Sequence, residues 1–206
     1  IGLHAEAERA SGGSLSRALE AAGFKGRKGQ TATLYAQGPF SKLVAIGIGK
    51  AEDVTAETAE AAGGTLIPLL AQDREATVAA DGLTGALVAN LAFGATLRSW
   101  RFDRYRTKEK EEDKPKLERL ALATTEVAAA KAAFTPLRAV ADGVFLTREL
   151  VSEPPNILHP IEFAERIKGL EKLGLEIEVL GLKELKKLGF GALIGVAQGS
   201  QHEPRV

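Results

Sequence analysis

Apolar positions along the chain change period several times, and each change marks an element. Leu3 to Ala10 reads as a weak helix broken by Gly12-Gly13. Leu15, Ala18, Leu19 and Ala22 then fall on one side of a helix, with Ser14 placed to cap its start and Gly23 to end it. Thr31 to Ala36 and Lys42 to Ile48 read as two strands split by the turn Gly38-Pro39. Thr55 to Leu70 is an alanine-rich helical stretch that Gly63-Gly64 should interrupt, and Ala76 to Ala80 a short strand. Leu83 to Trp100 predicts a second long helix with Leu87, Leu91 and Leu97 on its apolar face, followed by a strand from Leu117 to Thr124.

Glu126 to Val151 is mostly helical, with Thr135-Pro136 supplying a cap and a first-turn proline that restart it. Leu137, Val140, Ala141, Val144, Phe145 and Val151 share one face, which Arg148 alone interrupts. Pro154-Pro155 ends this helix, because each proline lacks an amide donor and restricts the residue before it. Pro160 suits a first helical position, and Phe163, Ala164, Ile167 and Leu170 make one face of a helix that Gly174 closes. Leu175, Ile177 and Val179 alternate with Glu176 and Glu178, the period of a half-buried strand. Leu182, Leu185 and Leu188 then make a short helix ended by Gly189. Strands and helices in this succession predict an α/β fold, a mixed sheet flanked by helices.

Composition narrows the classes. The 206 residues are 45% hydrophobic and 26% charged, ordinary globular values. Basic and acidic residues number 27 each, so no global field favours nucleic acid or an anionic membrane. The absence of cysteine excludes disulfides and thiolate metal sites. No apolar run approaches the roughly 20 residues a membrane-spanning helix needs, and no secretory leader is visible. The chain begins with Ile1, contains no methionine, and stops at Pro204-Arg205-Val206 after a turn; these features predict an internal fragment of a longer protein.

Candidate chemistry is sparse. Gly47-Ile-Gly-Lys50 lies between a strand and a helix, where a phosphate-cradling loop would sit. The dinucleotide fingerprint fails because Glu52 stands at its third glycine, and the Walker pattern lacks the Ser/Thr after Lys50. A tight turn is the better account, as it is for the basic loop Lys25-Gly-Arg-Lys-Gly29. Arg98 to Arg106 interleaves arginines with Trp100, Phe102 and Tyr105, the composition of a nucleic-acid surface. Glu109, Glu111, Glu112 and Asp113 follow at once and largely cancel that charge. The histidines, His4, His159 and His202, are far apart in sequence and match no ligand spacing, so surface or capping roles are expected for them. Ser200-Gln-His202 has neither a nucleophile elbow nor a placed acid.

Several of these stretches carry a resemblance. Leu150-Val-Ser-Glu-Pro-Pro-Asn156, Pro160 with Phe163-Ala164, and Lys187-Leu-Gly-x-Gly-Ala-x-x-Gly-Val-Ala-Gln-Gly-Ser200 resemble the opening of the metallopeptidase domain of the leucyl aminopeptidase (cytosol aminopeptidase) family. Ser11-Gly-Gly-Ser-Leu-Ser-Arg-Ala-Leu19, Phe24-Lys-Gly-Arg-Lys-Gly29 and Gly47-Ile-Gly-Lys50 are similar to its N-terminal domain, in the right order. The resemblance implies a macro-domain-like N-terminal α/β domain over residues 1–125, a linker helix region over 126–153, and the βα opening of a catalytic domain over 154–206. It implies a parent that is a cytoplasmic aminopeptidase, releasing N-terminal residues of leucine type from peptides with two divalent metal ions, manganese or zinc, in a homo-hexamer. The family's metal-ligand motifs, Gly-Lys-Gly-x-x-Phe-Asp among them, do not occur here, so no catalytic, metal or substrate-binding residue is assigned to this segment and those residues are expected beyond Val206. The competing class is a DNA- or nucleotide-binding module of the same macro-like fold, supported only by the Gly47 turn and the arginine-aromatic stretch.

Overall fold

The computed structural model describes residues 7–206, so His4 and the first half of the predicted helix from Leu3 to Ala10 lie outside the described residues. The chain divides into two compact units, Ile1–Phe145 and Leu146–Val206. The expected α/β class holds.

In the first unit, α1 (Leu15–Ala21) ends where Gly23 takes φ +66. The Phe24 amide reaches back to Leu19 O and the Gly23 amide to Glu20 O, which together satisfy the terminal carbonyls. Ser14 sits at the cap position but does not cap. Its hydroxyl donates to Ser11 O at 2.8 Å and also lies 3.1 Å from Gln37 Oε1, while Glu8 Oε2 and Ser11 Oγ accept from the amides of Ser16 and Leu15.

Strands β1 (Thr31–Gln37) and β2 (Phe40–Ile46) pair antiparallel, with Gln37 opposite Phe40 across Gly38-Pro39. Gly38 at φ +60 followed by a proline suits a type II′ turn, whose twist matches that of the strands. Strands β3 (Glu75–Ala79) and β4 (Arg119–Ala123) pair parallel in register Ala76 to Leu120 and Val78 to Leu122. The parallel and antiparallel pairings thus occur in two separate two-stranded sheets.

Helices α2 (Ala56–Leu69) and α3 (Gly85–Ser99) cover them. Thr55 and Thr84 cap the two starts, accepting from the amides of Thr58 and Leu87. The predicted break at Gly63-Gly64 does not occur; α2 is continuous there, because Gly63 lies against the backbone of α3. Ala59, Leu66, Leu70 and Leu91 form the core, with Val44, Ile46, Val78 and Leu122 packed on it. On α3 the buried face is Val88, Ala89, Leu91, Phe93 and Ala95, whereas Leu87 and Leu97 are only half-buried. Lys42 ties β2 to the end of α2, its ammonium 2.7 Å from Leu69 O and 2.5 Å from Asp73 Oδ2.

Helix α4 (Val127–Ser152) runs unbroken through Pro136, against the expected restart. Thr135 is no cap, since its hydroxyl donates back to Lys131 O at 3.1 Å, a bond made inside a helix. Its start packs on the first unit through Ala130, with Ala80 and Val88. The predicted apolar face is uneven: Ala141 is fully buried, but Val140 and Val151 are 53% and 81% exposed.

In the second unit, α4 stops at Ser152 before Pro154-Pro155, and α5 (Pro160–Lys168) opens on Pro160. A 3-10 turn, Gly169–Leu173, follows and Gly174 closes it at φ +87. Residues 175–180 do not form a strand. Their alternation is present in the sequence, but the segment has one point of backbone pairing, where Leu180 and Val206 exchange amide-to-carbonyl bonds of 2.7 and 3.1 Å. Helix α6 (Leu182–Lys187) buries Leu185 completely and ends at Gly189, φ +81, before α7 (Gly191–Ala197).

Candidate functional site

Three places gather polar chemistry. The first is the pair of loops around Gly26 and Gly47. The Gly29 amide donates to Gly47 O, the Gly47 amide to Gln30 O, and the Gly49 amide to Gly26 O. Gln30 closes the upper loop, its Oε1 accepting from Lys25 N at 2.8 Å and its Nε2 donating to Gly23 O at 2.8 Å. A Cβ at Gly47 would sit 2.1 Å from Arg27 O, so only glycine allows the two backbones this close. The amides of Gly47 and Gly49, two that a phosphate cradle would use, are therefore spent on the partner loop, and Gly47-Ile-Gly-Lys50 is a tight turn followed by a 3-10 segment, Ala51–Asp53.

The second is the arginine-aromatic stretch. Trp100 stacks on Phe102 with centroids 6.3 Å apart, Tyr105 meets Phe102 edge-on at 5.7 Å, and the Arg104 guanidinium lies 5.9 Å from the Phe102 centroid. Arg101 is turned to Glu109, with Nη2 2.6 and 2.7 Å from its two carboxylate oxygens. The hydrogen bond from Arg101 holds the Glu109 carboxyl below its usual range, with Arg106 and Lys114 adding to the effect. Lys114 in turn pairs with Glu111, which raises the ammonium above its ordinary value. The aromatics pack on one another, and Arg101 is committed to Glu109. Stacked bases need free rings and phosphates need free cations.

The third lies in the second unit. His159 and His202, 43 residues apart by their numbers, stack face to face with centroids 3.9 Å apart and planes within 5°. His202 is exposed, as expected of a surface residue, but its stacking on His159 was not expected. His159 occupies the N-cap position of α5 without capping it, and its Nδ1 is buried with no hydrogen-bond partner. Nearby, the fully buried Glu153 carboxylate accepts from Arg166 at 3.4 Å, and Arg166 also donates to Glu162 at 3.0 Å. The bond to Glu162, and then that to Glu153, raises the Arg166 guanidinium further above its ordinary value.

Metal binding needs converging ligands. Among the described residues no three His, Asp or Glu side chains gather where an ion could be held. The stacked histidines do not fit a shared ion either. A metal must lie near the plane of each imidazole that binds it, and two parallel rings one above the other point their lone pairs past any common point. These residues do not fit a two-metal centre.

Relatives decide the family. Residues 2–109 match the cytosol aminopeptidase family, N-terminal domain, and residues 145–206 match the cytosol aminopeptidase family, catalytic domain. The chain belongs to the cytosol aminopeptidase family. Probable cytosol aminopeptidases of Caulobacter vibrioides and of Rhodopseudomonas palustris strain BisA53 are 41% and 45% identical to it over 203 and 199 residues. The alignments take in 97% and 93% of this chain but 41% and 40% of those proteins, so the chain spans about two fifths of such cytosol aminopeptidases. Among solved structures, a mutant of tomato leucine aminopeptidase is 26% identical with a TM-score of 0.80, covering 96% of this chain and 41% of that one. The bottromycin maturation enzyme BotP, also solved in complex with Mn, is 29% identical in that form with a TM-score of 0.74, covering 91% and 40%.

Sequence reasoning missed the histidine stack and the burial of Glu153. Neither has a local signal. The histidines are brought together by the fold of the whole second unit, and Glu153 reads as one more charge beside two prolines.

Proposed function

We propose that this segment is the front part of a metal-dependent aminopeptidase that releases N-terminal amino acids, leucine among them, from peptides. The observation that carries this reading is the ordered match of the family's N-terminal domain and then its catalytic domain. The segment supplies the N-terminal domain (residues 1–125), the linker helix region (126–153) and the opening of the peptidase domain (154–206). It contributes no metal ligand, catalytic group or substrate contact. Two divalent ions, manganese or zinc, belong to the remainder of the protein, where they would polarise the scissile carbonyl and acidify a bound water. BotP bound to Mn supports a metal of that kind. The working enzyme is a cytoplasmic homo-hexamer.

The test sets the 206-residue chain beside the full-length protein, each supplied with manganese or zinc. Metal content and hydrolysis of leucine p-nitroanilide are measured, and sedimentation gives the oligomeric state. Two ions per full-length subunit, turnover abolished by a chelator, and an inert 206-residue chain are expected. Two ions bound by the short chain would place the ligands among residues dismissed above, and an inactive full-length protein with metal bound would overturn the aminopeptidase reading.

A further inference from the structure

The second unit has the helices of a domain and almost no core. Apart from Pro204, its buried apolar residues are Ala164 and Leu185. Leu173, Leu175, Leu188 and Val196 are each more than half exposed. A folded unit of this size must bury well over half of its chain's surface, and two such anchors fall far short of that. Aliphatic side chains left out in this number belong to a face that something covers.

The backbone of residues 175–180 identifies the cover. Leu180 and Val206 each donate an amide to the other's carbonyl, at 2.7 and 3.1 Å. Such a two-way exchange is the mark of a hydrogen-bonded pair in an antiparallel ladder. The next pairs of that kind fall two residues further along each strand, in opposite directions. They set position 208 against Glu178 and position 210 against Glu176. Positions 207 and 209 then lie opposite Val179 and Ile177, on the apolar face of the alternation. Among the described residues, the amides and carbonyls of 176–179 enter no backbone hydrogen bond, so they remain to be paired. Length agrees with this. The alignments take in 41% and 40% of the two cytosol aminopeptidases named above, so more than half of such a protein lies outside this chain.

We propose that the residues following Val206 in the full-length protein form a strand antiparallel to 175–180, in the register 208 to Glu178 and 210 to Glu176. The part of the peptidase domain that this strand leads into covers Leu173, Leu175, Leu188 and Val196. The second unit thereby gains its strand pairing and most of its core from the chain that follows it. This rests on the reading of the segment as the front part of a longer aminopeptidase.

Disulfide trapping in the full-length protein, freed of any other cysteine, tests the register. Facing residues of a non-hydrogen-bonded antiparallel pair lie close enough for a disulfide, whereas a one-residue offset puts the two side chains on opposite faces. Val179→Cys combined with a cysteine at position 207 should therefore oxidise about tenfold or more faster than Val179→Cys with a cysteine at position 208. Ile177→Cys should link in the same way to position 209. Amide exchange of the unaltered full-length protein needs no substitution and guards against variants that fail to fold. There the amides of 176 and 178 should be protected to within about tenfold of those in α2 and α3. Equal rates for the 207 and 208 pairings, no link at either, or unprotected amides at 176 and 178 would overturn the strand. An active, metal-loaded protein with no link would overturn the strand and leave the aminopeptidase reading intact. A metal-loaded but inactive protein that forms the 179–207 link would do the reverse.

Discussion

Gly63 and Gly94 meet where α2 crosses α3. A Cβ on Gly63 would lie 2.0 Å from Leu91 O, and one on Gly94 would lie 1.9 Å from Glu60 O. Both contacts are to backbone, which cannot rotate away as a side chain can. The two helices pack this closely because neither residue has a side chain.

It follows that Gly63→Ala and Gly94→Ala each force the helices apart and loosen Ala59, Leu66 and Leu91 behind them. A loss of about 1–3 kcal/mol, the usual cost of overpacking a tight core, is expected for each in urea unfolding. Gly64 is the control. Its Cβ would meet nothing nearer than Gly94 O at 3.8 Å, so Gly64→Ala should be neutral or stabilising, by up to about 1 kcal/mol from helix propensity. Equal losses at positions 63 and 64 would contradict the close crossing.

A second prediction uses Trp100, the chain's single tryptophan, as a reporter. It stacks on Phe102 beside Arg101, whose hydrogen bonds hold Glu109 below the usual carboxylate range. A carboxyl lowered in the folded state contributes stability that is full above its unfolded value and is lost as pH falls through the folded one. The emission of Trp100 should therefore stay constant through mildly acid solution. It should shift only below the ordinary titration range of glutamate, about 4.3. In Glu109→Gln the shifted spectrum should already be present at neutral pH. A transition at or above the ordinary glutamate range would show that the pair does not hold the loop.

How much of this was legible beforehand differs by kind of signal. Prolines and glycine stops placed the end of α1, the start of α5 and the end of α6 well, because those residues act through their own backbone and need no distant partner, whereas the expected cap Ser14 does not cap. Gly63-Gly64 was misread for the opposite reason. A glycine lowers helix propensity locally, and what makes it right for α2 is the neighbouring helix, which local pattern cannot display. Pro136 was misread similarly, since tertiary packing at Ala130 and Ala141 carries α4 across the missing hydrogen bond. Residues 175–180 have a strand's pattern, but a strand is made by its partners, and the described residues pair it only at Leu180. The family was readable from ordered motifs. The histidine stack was not, because it depends on where two distant loops come to rest.

The arginine-aromatic stretch yields a third prediction. With Arg101 held by Glu109 and Arg104 laid near Phe102, the triple change Arg101→Ala, Arg104→Ala, Arg106→Ala should remove no duplex affinity at physiological salt, because there is none of note to remove. Fluorescence anisotropy with a labelled duplex measures this. A retained complex that the triple change abolishes, and that weakens steeply with added salt, would mean that phosphate contacts displace Glu109.

The last prediction concerns the exit of α4. Two devices fix it: Pro154-Pro155, which bar further helix, and the fully buried Glu153 carboxylate, which Arg166 reaches from α5 at 3.4 Å. A buried carboxylate that loses a cationic partner keeps its desolvation cost and forfeits part of the compensation. Arg166→Leu should therefore destabilise the second unit more than Glu162→Gln, which removes only the half-exposed partner of the same guanidinium. Glu153→Gln should fall between, since the amide oxygen can still accept while the charge is gone. Replacing both prolines by alanine acts differently. It leaves every one of these side chains in place but permits α4 to continue, which would carry Glu153 around the helix and away from Arg166. Thermal unfolding followed by exchange in peptides spanning 150–168 separates the two modes. The arginine change should lower protection across α5, whereas the alanine pair should raise it at 153–156 and lower it across α5. If the alanine pair leaves the exchange of 153–156 as it was, the exit of α4 is set by the contact between Glu153 and Arg166, and the prolines are incidental.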